Sequence, residues 1–431
     1  MKKLILAILF LTVLSGSLVH ASDPYRIDIE GPINSVLADF VVQAMDQAQS
    51  ERAPFVILRL NTPGGFDEGM RKIIGKILLS EIPVIVYVGP SGARAASAGF
   101  FILLSSDLAV MAPGTNTGAA HPLLALGGVY PLEEGKASTL VEKVTNDAKA
   151  YLKSIVEKRG RSQELAEKGI TESKSFTAQE ALDGKLIEFI ARDENELLQF
   201  LKGKVIKRFS GEEVTLPKEI GPLKPFQMTL RQRILLAISD PNLALLLGLL
   251  GLLLLYFEFA HSGMIAPGVL GTLSILLSLI GFSLLPINFV GVLLILLAFG
   301  LFIAEIKVQG FGILGIGGII SMLIGTLILV DAPQPELKIT PSVALAVVIP
   351  FGLILMLLMR LAIKTFKRKV ETGLEGMVGT LGVTQTALSL EGKVLIRGEY
   401  WEAVSSRPIP QGQKVRVVKI ENLKLTVEEI K

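Results

Sequence analysis

The chain contains no cysteine among its 431 residues. Disulfides, thiol nucleophiles, iron–sulfur clusters and cysteine-ligated zinc are therefore excluded. Histidine is almost as scarce, since the sequence has only His20, His121 and His261. The net charge of +3 is small and no long basic tract is present, which argues against nucleic acid as a partner.

Apolar residues, by contrast, make up 50% of the sequence and are unevenly distributed. The first segment combines Lys2 and Lys3 with an apolar stretch from Leu4 to Leu14 and the small-residue sequence Val19-His20-Ala21. This pattern predicts a signal peptide over residues 1–21, with an uncleaved anchor as the alternative. Either interpretation places the following segment outside the cytoplasm.

Strand-like and helix-like segments alternate from residue 22 to residue 201. The apolar runs Pro54–Leu60 and Pro83–Val88 predict buried strands, and the amphipathic segments Val36–Gln49 and Asp67–Leu79 predict helices. That alternation is typical of a largely parallel α/β layer domain. No covalent cross-link is available to stabilise it, so its core must do so.

Residues 202–233 are polar and rich in lysine, proline and glycine, which predicts a linker. Residues 234–365 form a hydrophobic block. Five segments in this block approach the ~20 apolar residues that cross a bilayer, and they are too many and too free of charge for buried core helices. The predicted spans are Leu243–Phe259, Ala266–Leu285, Phe289–Ile306, Phe311–Val330 and Val343–Ala362. Recurring glycines favour close packing of these helices.

Basic residues lie at the end of the last predicted span and just after it, at Arg360, Lys364 and Lys367-Arg368-Lys369. Positive residues flank the cytoplasmic ends of spans, which predicts that the C-terminus lies inside. A signal peptide followed by five crossings gives the same orientation. We therefore expect a multi-pass protein of the cell membrane, with the α/β domain outside and the C-terminal segment in the cytoplasm.

The C-terminal segment, residues 373–431, reads as about five short strands joined by tight turns. This spacing predicts a small closed β-barrel of OB type. Barrels of this type often bind nucleic acid through aromatic side chains, but Tyr400 and Trp401 are the only aromatic residues here. We expect both to fill the barrel core instead.

One serine in the α/β domain has the surroundings of a nucleophile. Ser97 lies in Ala95-Ala96-Ser97-Ala98-Gly99, after a predicted strand and at the start of a helix predicted over Ala95–Ser105. Unpaired N–H groups and the positive end of the helix dipole would favour an alkoxide there. The alternative is a simple helix cap.

Gly64-Gly65 ends a different buried strand and could supply amides to an oxyanion, or form an ordinary turn. A base is also needed. His121 is the only histidine of the domain, and a lysine made neutral by burial is the other option. The lysines near the long helix predicted over residues 138–158 are Lys136, Lys143, Lys149 and Lys153. Helical spacing does not choose among them, and a solvated lysine is the usual state.

The chain resembles the long form of the NfeD family of membrane-bound serine proteases, which is related to the ClpP and signal-peptide-peptidase clan. The matching stretches are Asn61-Thr62-Pro63-Gly64-Gly65, Ala95-Ala96-Ser97-Ala98-Gly99, Ala112-Pro113-Gly114-Thr115-Asn116, Lys143-Val144-Thr145-Asn146 and Thr177-Ala178-Gln179-Glu180-Ala181-Leu182. Together with the spans and the barrel they cover essentially the whole chain. The resemblance implies a ClpP/crotonase-like α/β domain over residues 22–201, a transmembrane bundle of about five helices and an OB-fold barrel.

The resemblance also implies a Ser-Lys dyad. By motif position the nucleophile is Ser97, the base is a neutral Lys143, and Gly64, Gly65 and the Ala98 amide lie on the oxyanion side. No metal or cofactor is implied. Asn61 departs from the aspartate expected before Thr-Pro-Gly-Gly, and we interpret its role as structural.

The function implied is endopeptidase cleavage of apolar peptide segments, together with a stomatin-like (SPFH) membrane protein as partner and a homo-oligomeric assembly. Two other functions compete with it. The protein could be a non-catalytic membrane scaffold that organises the stomatin-like partner. It could also be a crotonase-type enzyme acting on acyl-CoA, although the predicted location outside the cytoplasm argues against that substrate.

Overall fold

The computed structural model describes residues 23–122, 134–260, 264–308, 312–332, 335–366, 374–421 and 423–430. The predicted signal peptide lies outside the described residues. By contacts the chain divides into two compact units, Met1–Leu355 and Met356–Lys431.

The first unit begins with the α/β domain. Its strands are β1 (Tyr25–Glu30), β2 (Val56–Asn61), β3 (Val84–Val88), β4 (Arg94–Ala96), β5 (Leu108–Met111), β6 (Asn116–Gly118), β7 (Ser175–Thr177), β8 (Phe189–Ile190), β9 (Val205–Lys207), β10 (Glu213–Thr215) and β11 (Lys224–Pro225). Its helices are α1 (Ser35–Ser50), α2 (Asp67–Leu79), α3 (Ala98–Ser105), α4 (Glu134–Arg159), α5 (Gln163–Thr171), α6 (Ala178–Asp183), α7 (Glu194–Leu201) and α8 (Leu230–Ile238).

A six-stranded parallel sheet forms the centre of this domain, in the order β11-β1-β2-β3-β5-β8. Alternate residues of β2 enter different cores: Val56 and Leu58 pack with α1 to α4, whereas Ile57 packs with α7. Both faces are covered, which is why the strands read as continuous apolar runs. The predicted α/β layer domain is confirmed.

A smaller sheet, β4-β6-β7, lies beyond the ends of β2 and β3. The segment predicted as a linker instead has regular structure that packs on the α/β domain. Residues 202–233 contain the β9–β10 hairpin, β11 and the start of α8, and β11 pairs with Tyr25 and Arg26 of β1. Its apolar Ile206 and Leu216 are buried in the core beneath α7, so the polar composition concealed a packed extension.

Five apolar helices follow in the hydrophobic block, one at each predicted span. They are α9 (Pro241–Ala260), α10 (Ala266–Ser283), α11 (Phe289–Val308), α12 (Ile313–Ile328) and α13 (Pro341–Phe366). By length and composition, Pro241–Ala260, Ala266–Ser283 and Pro341–Leu358 are long and apolar enough to cross a membrane, and the shorter stretches Phe289–Glu305 and Ile313–Ile328 are also apolar.

Glycine contacts allow the helices to approach closely in pairs. A side chain at Gly251 of α9 would meet the Gly271 carbonyl of α10 at 2.7 Å. In the next pair, one at Gly291 of α11 would meet the Gly325 carbonyl of α12 at 2.9 Å. The predicted packing through small residues is therefore confirmed, and a larger residue at either position would separate a helix pair.

The second unit contains a closed five-stranded barrel, as predicted. Its strands are β12 (Leu381–Thr384), β13 (Glu391–Ile396), β14 (Glu399–Val404), β15 (Lys414–Glu421) and β16 (Lys424–Glu429). The order is β12-β13-β14-β16-β15, and β12 also pairs with β15. Trp401 packs partly buried against the core, but Tyr400 is 68% exposed, so the core-filling prediction is wrong for Tyr400.

Candidate active site

Ser97 lies between β4 and α3 in a conformation that L-residues rarely adopt. Its φ is 52° and its ψ is −113°. Its N–H donates to the Gly118 carbonyl of β6 at 2.8 Å, which holds the backbone in place. Such conformations cost about 1–3 kcal/mol and persist where the surrounding structure imposes them, as at nucleophile turns.

The helix predicted to begin at Ala95 begins at Ala98 instead. Arg94–Ala96 pairs with β6, and this strand pairing overrides the helical preference of the alanines. The Ser97 side chain makes no capping hydrogen bond to the helix, so the alternative of a simple helix cap does not describe it. The half-buried hydroxyl remains available for chemistry.

The glycine turn and the serine are brought together through Thr62. This residue forms a parallel bridge with Ala95. The Thr62 N–H donates to the Arg94 carbonyl at 2.7 Å, and the Ala96 N–H donates to the Thr62 carbonyl at 3.1 Å. The end of β2 is thus bonded directly to the strand that precedes Ser97, and Gly64-Gly65 follows two residues later.

Both glycines of the turn are required by its geometry. Gly64 has a φ of +119°, and its N–H donates to the Thr62 hydroxyl at 3.0 Å. A side chain at Gly65 would lie 2.1 Å from the Ile33 carbonyl oxygen. The turn is therefore a close backbone approach rather than an ordinary Pro-Gly turn, and the Gly64 amide already has a partner.

The Ala98 amide is the better-placed oxyanion donor. As the first residue of α3, Ala98 has no intrahelical partner for its N–H, and the positive end of the helix dipole lies there. Gly99 follows it, and a side chain at Gly99 would meet Thr62 at 2.6 Å. The absence of that side chain lets the start of α3 lie against the end of β2.

Asn61 has a structural contact that accounts for its presence. Its side-chain oxygen accepts from the Arg94 N–H at 3.2 Å. An aspartate oxygen could accept the same bond, so the amide replaces it without loss of the contact. Because Asn61 is neutral, it offers no charge to the Arg94 guanidinium.

Two arginines hold the other end of α3. Arg159 donates to the Ser105 carbonyl at 2.6 Å and to the buried Asp107 carboxylate, and Arg161 donates to the Leu104 carbonyl at 2.6 Å. Cations at a helix C-terminus complement its dipole and satisfy its last carbonyls. Burial lowers the pKa of Arg159, and the Asp107 carboxylate opposes that shift. The helix that begins beside Ser97 is therefore fixed at its far end.

Lys143 does not meet Ser97 in this structure. It lies on α4, where its side chain is exposed and makes no hydrogen bond with Ser97 among the described residues. Lys149 pairs with Glu167 of α5 at 3.2 Å, and Lys153 is exposed. The Lys136 side chain lies outside the described part. The geometry thus brings Ser97, Ala98 and the glycine turn together without selecting the base.

The His121 side chain bonds to a different part of the domain. Its Nδ1 donates to the Ile170 carbonyl of α5 at 2.9 Å. No carboxylate contacts the ring among the described residues, and the imidazole makes no bond to Ser97. A Ser-His-Asp triad is not assembled. The described residues also contain no cluster of histidine and acidic side chains able to hold a metal ion.

Sequence reasoning missed Thr62, Gly118 and the two arginines. Thr62 lies within the Asn-Thr-Pro-Gly-Gly stretch, so its place beside the turn was visible, but its bridge to Ala95 was not. Gly118 has a φ of +116° and a side chain there would lie 2.3 Å from the Lys174 carbonyl, a requirement that appears only in three dimensions. No signal in the sequence linked Arg159 or Arg161 to α3.

Family comparisons cover all three parts of the chain. The NfeD integral membrane domain matches residues 242–361. The N-terminal domain of NfeD1b matches residues 23–207, and the NfeD-like C-terminal, partner-binding domain matches residues 374–429. The matched order is the order of the observed domains.

Two relatives align over nearly the full length. A membrane-bound protease of Pyrococcus horikoshii is 36% identical over 442 residues, covering 99% of this chain and 98% of that protein. The membrane protein NfeD1b of Bacillus subtilis is 26% identical over 439 residues, covering 94% and 92% respectively.

Solved structures of single domains are also similar. A stomatin-specific membrane-bound protease domain, solved as a lysine-to-alanine variant with a substrate peptide, is 35% identical and covers 51% of this chain and 99% of that chain, with a TM-score of 0.45. The C-terminal domain of a stomatin operon partner protein from Pyrococcus horikoshii is 40% identical and covers 14% and 97%, with a TM-score of 0.14. On the full-length match to the archaeal relative and the three matching domains, the chain belongs to the NfeD family of membrane proteins.

Proposed function

We propose that this protein is a membrane-anchored serine endopeptidase in which Ser97 is the nucleophile and Lys143 the base. The observation that carries the proposal is the Ser97 backbone, held at a φ of 52° beside a tight glycine turn at the start of a helix. A relative of similar length is named as a membrane-bound protease. We place the protease domain at residues 22–201.

The reaction is acyl transfer. Neutral Lys143 takes the hydroxyl proton of Ser97, and the oxygen bonds to the peptide carbonyl carbon. The Ala98 amide stabilises the resulting oxyanion, and Gly64 and Gly65 would join it only if the substrate displaces the hydrogen bond from the Gly64 N–H to the Thr62 hydroxyl. The C–N bond then breaks, the lysine returns its proton to the departing amine, and water hydrolyses the ester to free Ser97.

We expect substrate binding to move Lys143 toward Ser97. The C-terminal half of α4 is packed through Ala148 and Leu152, but Leu140 and Val141 beside Lys143 are 37% and 40% exposed. An apolar peptide that covers these side chains would draw the first half of α4 over Ser97. The same closure would exclude water from the lysine and favour its neutral form.

The preferred substrate is an apolar segment of a membrane-associated protein, and the partner is a stomatin-like (SPFH) protein. The C-terminal barrel matches a partner-binding domain, and similar solved structures are described as stomatin-specific and stomatin-linked. We propose that the protease domain lies outside, the barrel lies in the cytoplasm, and the chain forms a homo-oligomer.

The decisive experiment measures cleavage of an apolar peptide by the full chain in vesicles. Ser97→Ala and Lys143→Ala should each abolish cleavage, because each removes one partner of the proton transfer. His121→Ala should keep it, since the imidazole bonds to Ile170. Cleavage that survives Lys143→Ala and disappears in His121→Ala would refute the dyad.

A non-catalytic scaffold is the second candidate, favoured because Lys143 is exposed and makes no hydrogen bond to Ser97. It predicts that Ser97→Ala binds a stomatin-like partner as well as the wild type does, with no cleavage product from either protein. Product from the wild type alone would reject the scaffold as the complete function.

A further inference from the structure

Beside the glycine turn, the α/β domain is bonded to a residue that joins α8 to the first apolar helix. The Asn34 side-chain amide donates to the Ser239 hydroxyl at 2.9 Å, and both residues are only 5% exposed. Asn34 follows Ile33, whose carbonyl lies against Gly65 and whose N–H donates to the Gly64 carbonyl at 2.8 Å. One side of the candidate site is therefore fixed to the residues just before α9.

A second contact is made from the strand that leads to Ser97. The Arg94 guanidinium pairs with the Glu336 carboxylate at 2.9 Å. Glu336 belongs to the connection between α12 and α13, where Leu337 and Ile339 on either side of Lys338 are buried. Arg94 is three residues before Ser97, which limits their Cα separation to about 10 Å.

Both contacts are made at one end of the helical bundle. Ser239 lies two residues before the start of α9 at Pro241, and Thr340 immediately precedes α13. The Thr340 N–H donates to the Asn242 side chain at 2.8 Å, which ties the two helix starts together. The two residues beside the candidate site, Asn34 and Arg94, are thus bonded to segments at the same end of α9 and α13.

We propose that the substrate is a protein segment lying at the membrane surface, within a few residues of its own membrane-inserted part. A peptide that passes between the Gly64-Gly65 turn and Ser97 runs between the two attachment points, close to where α9 and α13 begin. Arg94 and Glu336 act as positioning residues that hold this opening toward the membrane. The proposal rests on the proposed protease function and names the place where its substrate is presented.

The first test varies the height of the cleavable segment above the bilayer. The same apolar sequence is joined to a single transmembrane helix through a linker of about 5 or about 25 residues, which reach at most ~18 Å or ~90 Å. The full chain, in the same vesicles, should cleave the short-linker substrate at least as fast as the long one. Cleavage of the long-linker substrate alone would overturn the proposal.

Charge reversal tests the role of the ion pair. Glu336→Arg should slow cleavage of the short-linker substrate about fivefold, near the upper range for an exposed pair, and leave a soluble apolar peptide unaffected. Adding Arg94→Glu should restore the rate by re-forming the pair with reversed charges. Lys338→Glu, a charge reversal two residues away, is the matched control and should change neither substrate. An unchanged rate in Glu336→Arg would contradict the role of the pair.

A third measurement tests the contact between Arg94 and Glu336 without depending on catalysis. The chain has no cysteine, so Arg94→Cys combined with Glu336→Cys gives the only two thiols. A short bifunctional thiol reagent should link them within one chain, and Arg94→Cys with Glu212→Cys, another exposed glutamate, should remain unlinked. If the paired variant is linked but the wild type cleaves no substrate, the protease function is rejected and the Arg94–Glu336 contact is kept. If the wild type cleaves but the paired variant is not linked, the contact is rejected and the protease function is kept.

Discussion

At the residue scale, the site depends on positions where the backbone permits few alternatives. Ser97 has a positive φ without being glycine, and Gly65 packs against the Ile33 carbonyl with no room for a side chain. Ser97 follows β4 and Gly65 follows β2, and the parallel Thr62–Ala95 bridge joins the chain segments that lead to them. A change at Ser97 alters the site directly, and a change at Gly65 would also displace Ile33, which is fully buried in the domain core.

Replacement of Ser97 by glycine distinguishes the cost of its backbone conformation from the role of its hydroxyl in cleavage. Ser97→Gly and Ser97→Ala should both be inactive, but Ser97→Gly should be more stable than Ser97→Ala by about 1 kcal/mol, because glycine adopts the positive φ without steric cost. Urea denaturation of the detergent-solubilised chain, followed by circular dichroism, measures the difference. Equal stabilities would show that the native φ stores no strain.

Replacement of Gly65 by alanine should displace the turn. The new methyl group would lie 2.1 Å from the Ile33 carbonyl, so we expect a loss of at least 3 kcal/mol and of peptide cleavage. The matched control is Gly75→Ala in α2, where no atom lies within 4 Å of the new methyl group. That change should stabilise the helix by up to about 1 kcal/mol. A Gly65→Ala protein as stable as the wild type would contradict the close approach.

At the scale of elements, the short helix α3 is held between its two ends. The residues just before its start are bonded to β2 and β6, and its end is bonded to Arg159, the last residue of α4, and to Arg161. The ion pair between Arg159 and Asp107 is almost completely buried, with exposed fractions of 3% and 1%. Such a pair fixes the geometry of the helix even where its net contribution to stability is small.

Arg159→Met should cost about 3 kcal/mol, because it leaves a buried carboxylate with the more distant Arg208 as its remaining charged partner at 3.4 Å. The same substitution at Arg192, which is exposed and pairs with Glu196, should change the stability by no more than about 0.5 kcal/mol. Chemical denaturation of both variants tests this. A small effect of Arg159→Met would mean that Arg208 compensates fully.

Acid should weaken the attachment between α1, β1 and β11. Hydrogen bonds from Tyr25, Gln47 and Lys224 hold the pKa of Glu51 at about 2, below its ordinary value of 4.5. A lowered folded pKa stabilises the protein above pH 4.5, and this contribution is lost as the pH falls from 4.5 toward 2. Glu51→Gln should therefore reduce the slope of stability against pH in that window, and the exposed Glu81→Gln should not. Unchanged slopes in both variants would contradict the assignment.

Strands and helices whose apolar residues recur at regular spacing could be predicted from the sequence. The parallel strands, the amphipathic helices and the five apolar helices follow from residue patterning alone, and the barrel follows from its regular turns. The extension at 202–233 was not predictable, because Ile206 and Leu216 are its only fully buried apolar residues and they are separated by many polar ones. The strand at Arg94–Ala96 was missed since its partner, β6, is non-local.

At the scale of the whole molecule, two contacts join the neighbourhood of the candidate site to the segments that precede α9 and α13, namely Asn34–Ser239 and Arg94–Glu336. The nucleophile turn is predictable from the small-residue stretch around Ser97, whereas its attachment through Asn34 and Arg94 depends on residues more than two hundred positions away. The base is the part that the sequence pattern left open. The proposed function requires α4 to bring Lys143 to Ser97, whereas the backbone around Ser97 already has its unusual conformation in this structure.

The central claim is that Ser97 forms an acyl-enzyme with Lys143 as its base. The most direct measurement is mass spectrometry of the full chain in vesicles after reaction with an apolar acylating peptide ester. The account predicts an acyl adduct on Ser97 in the wild type and in His121→Ala, and none in Lys143→Ala. An adduct on Ser97 at the wild-type rate in Lys143→Ala, or on another residue in the wild type, would contradict it.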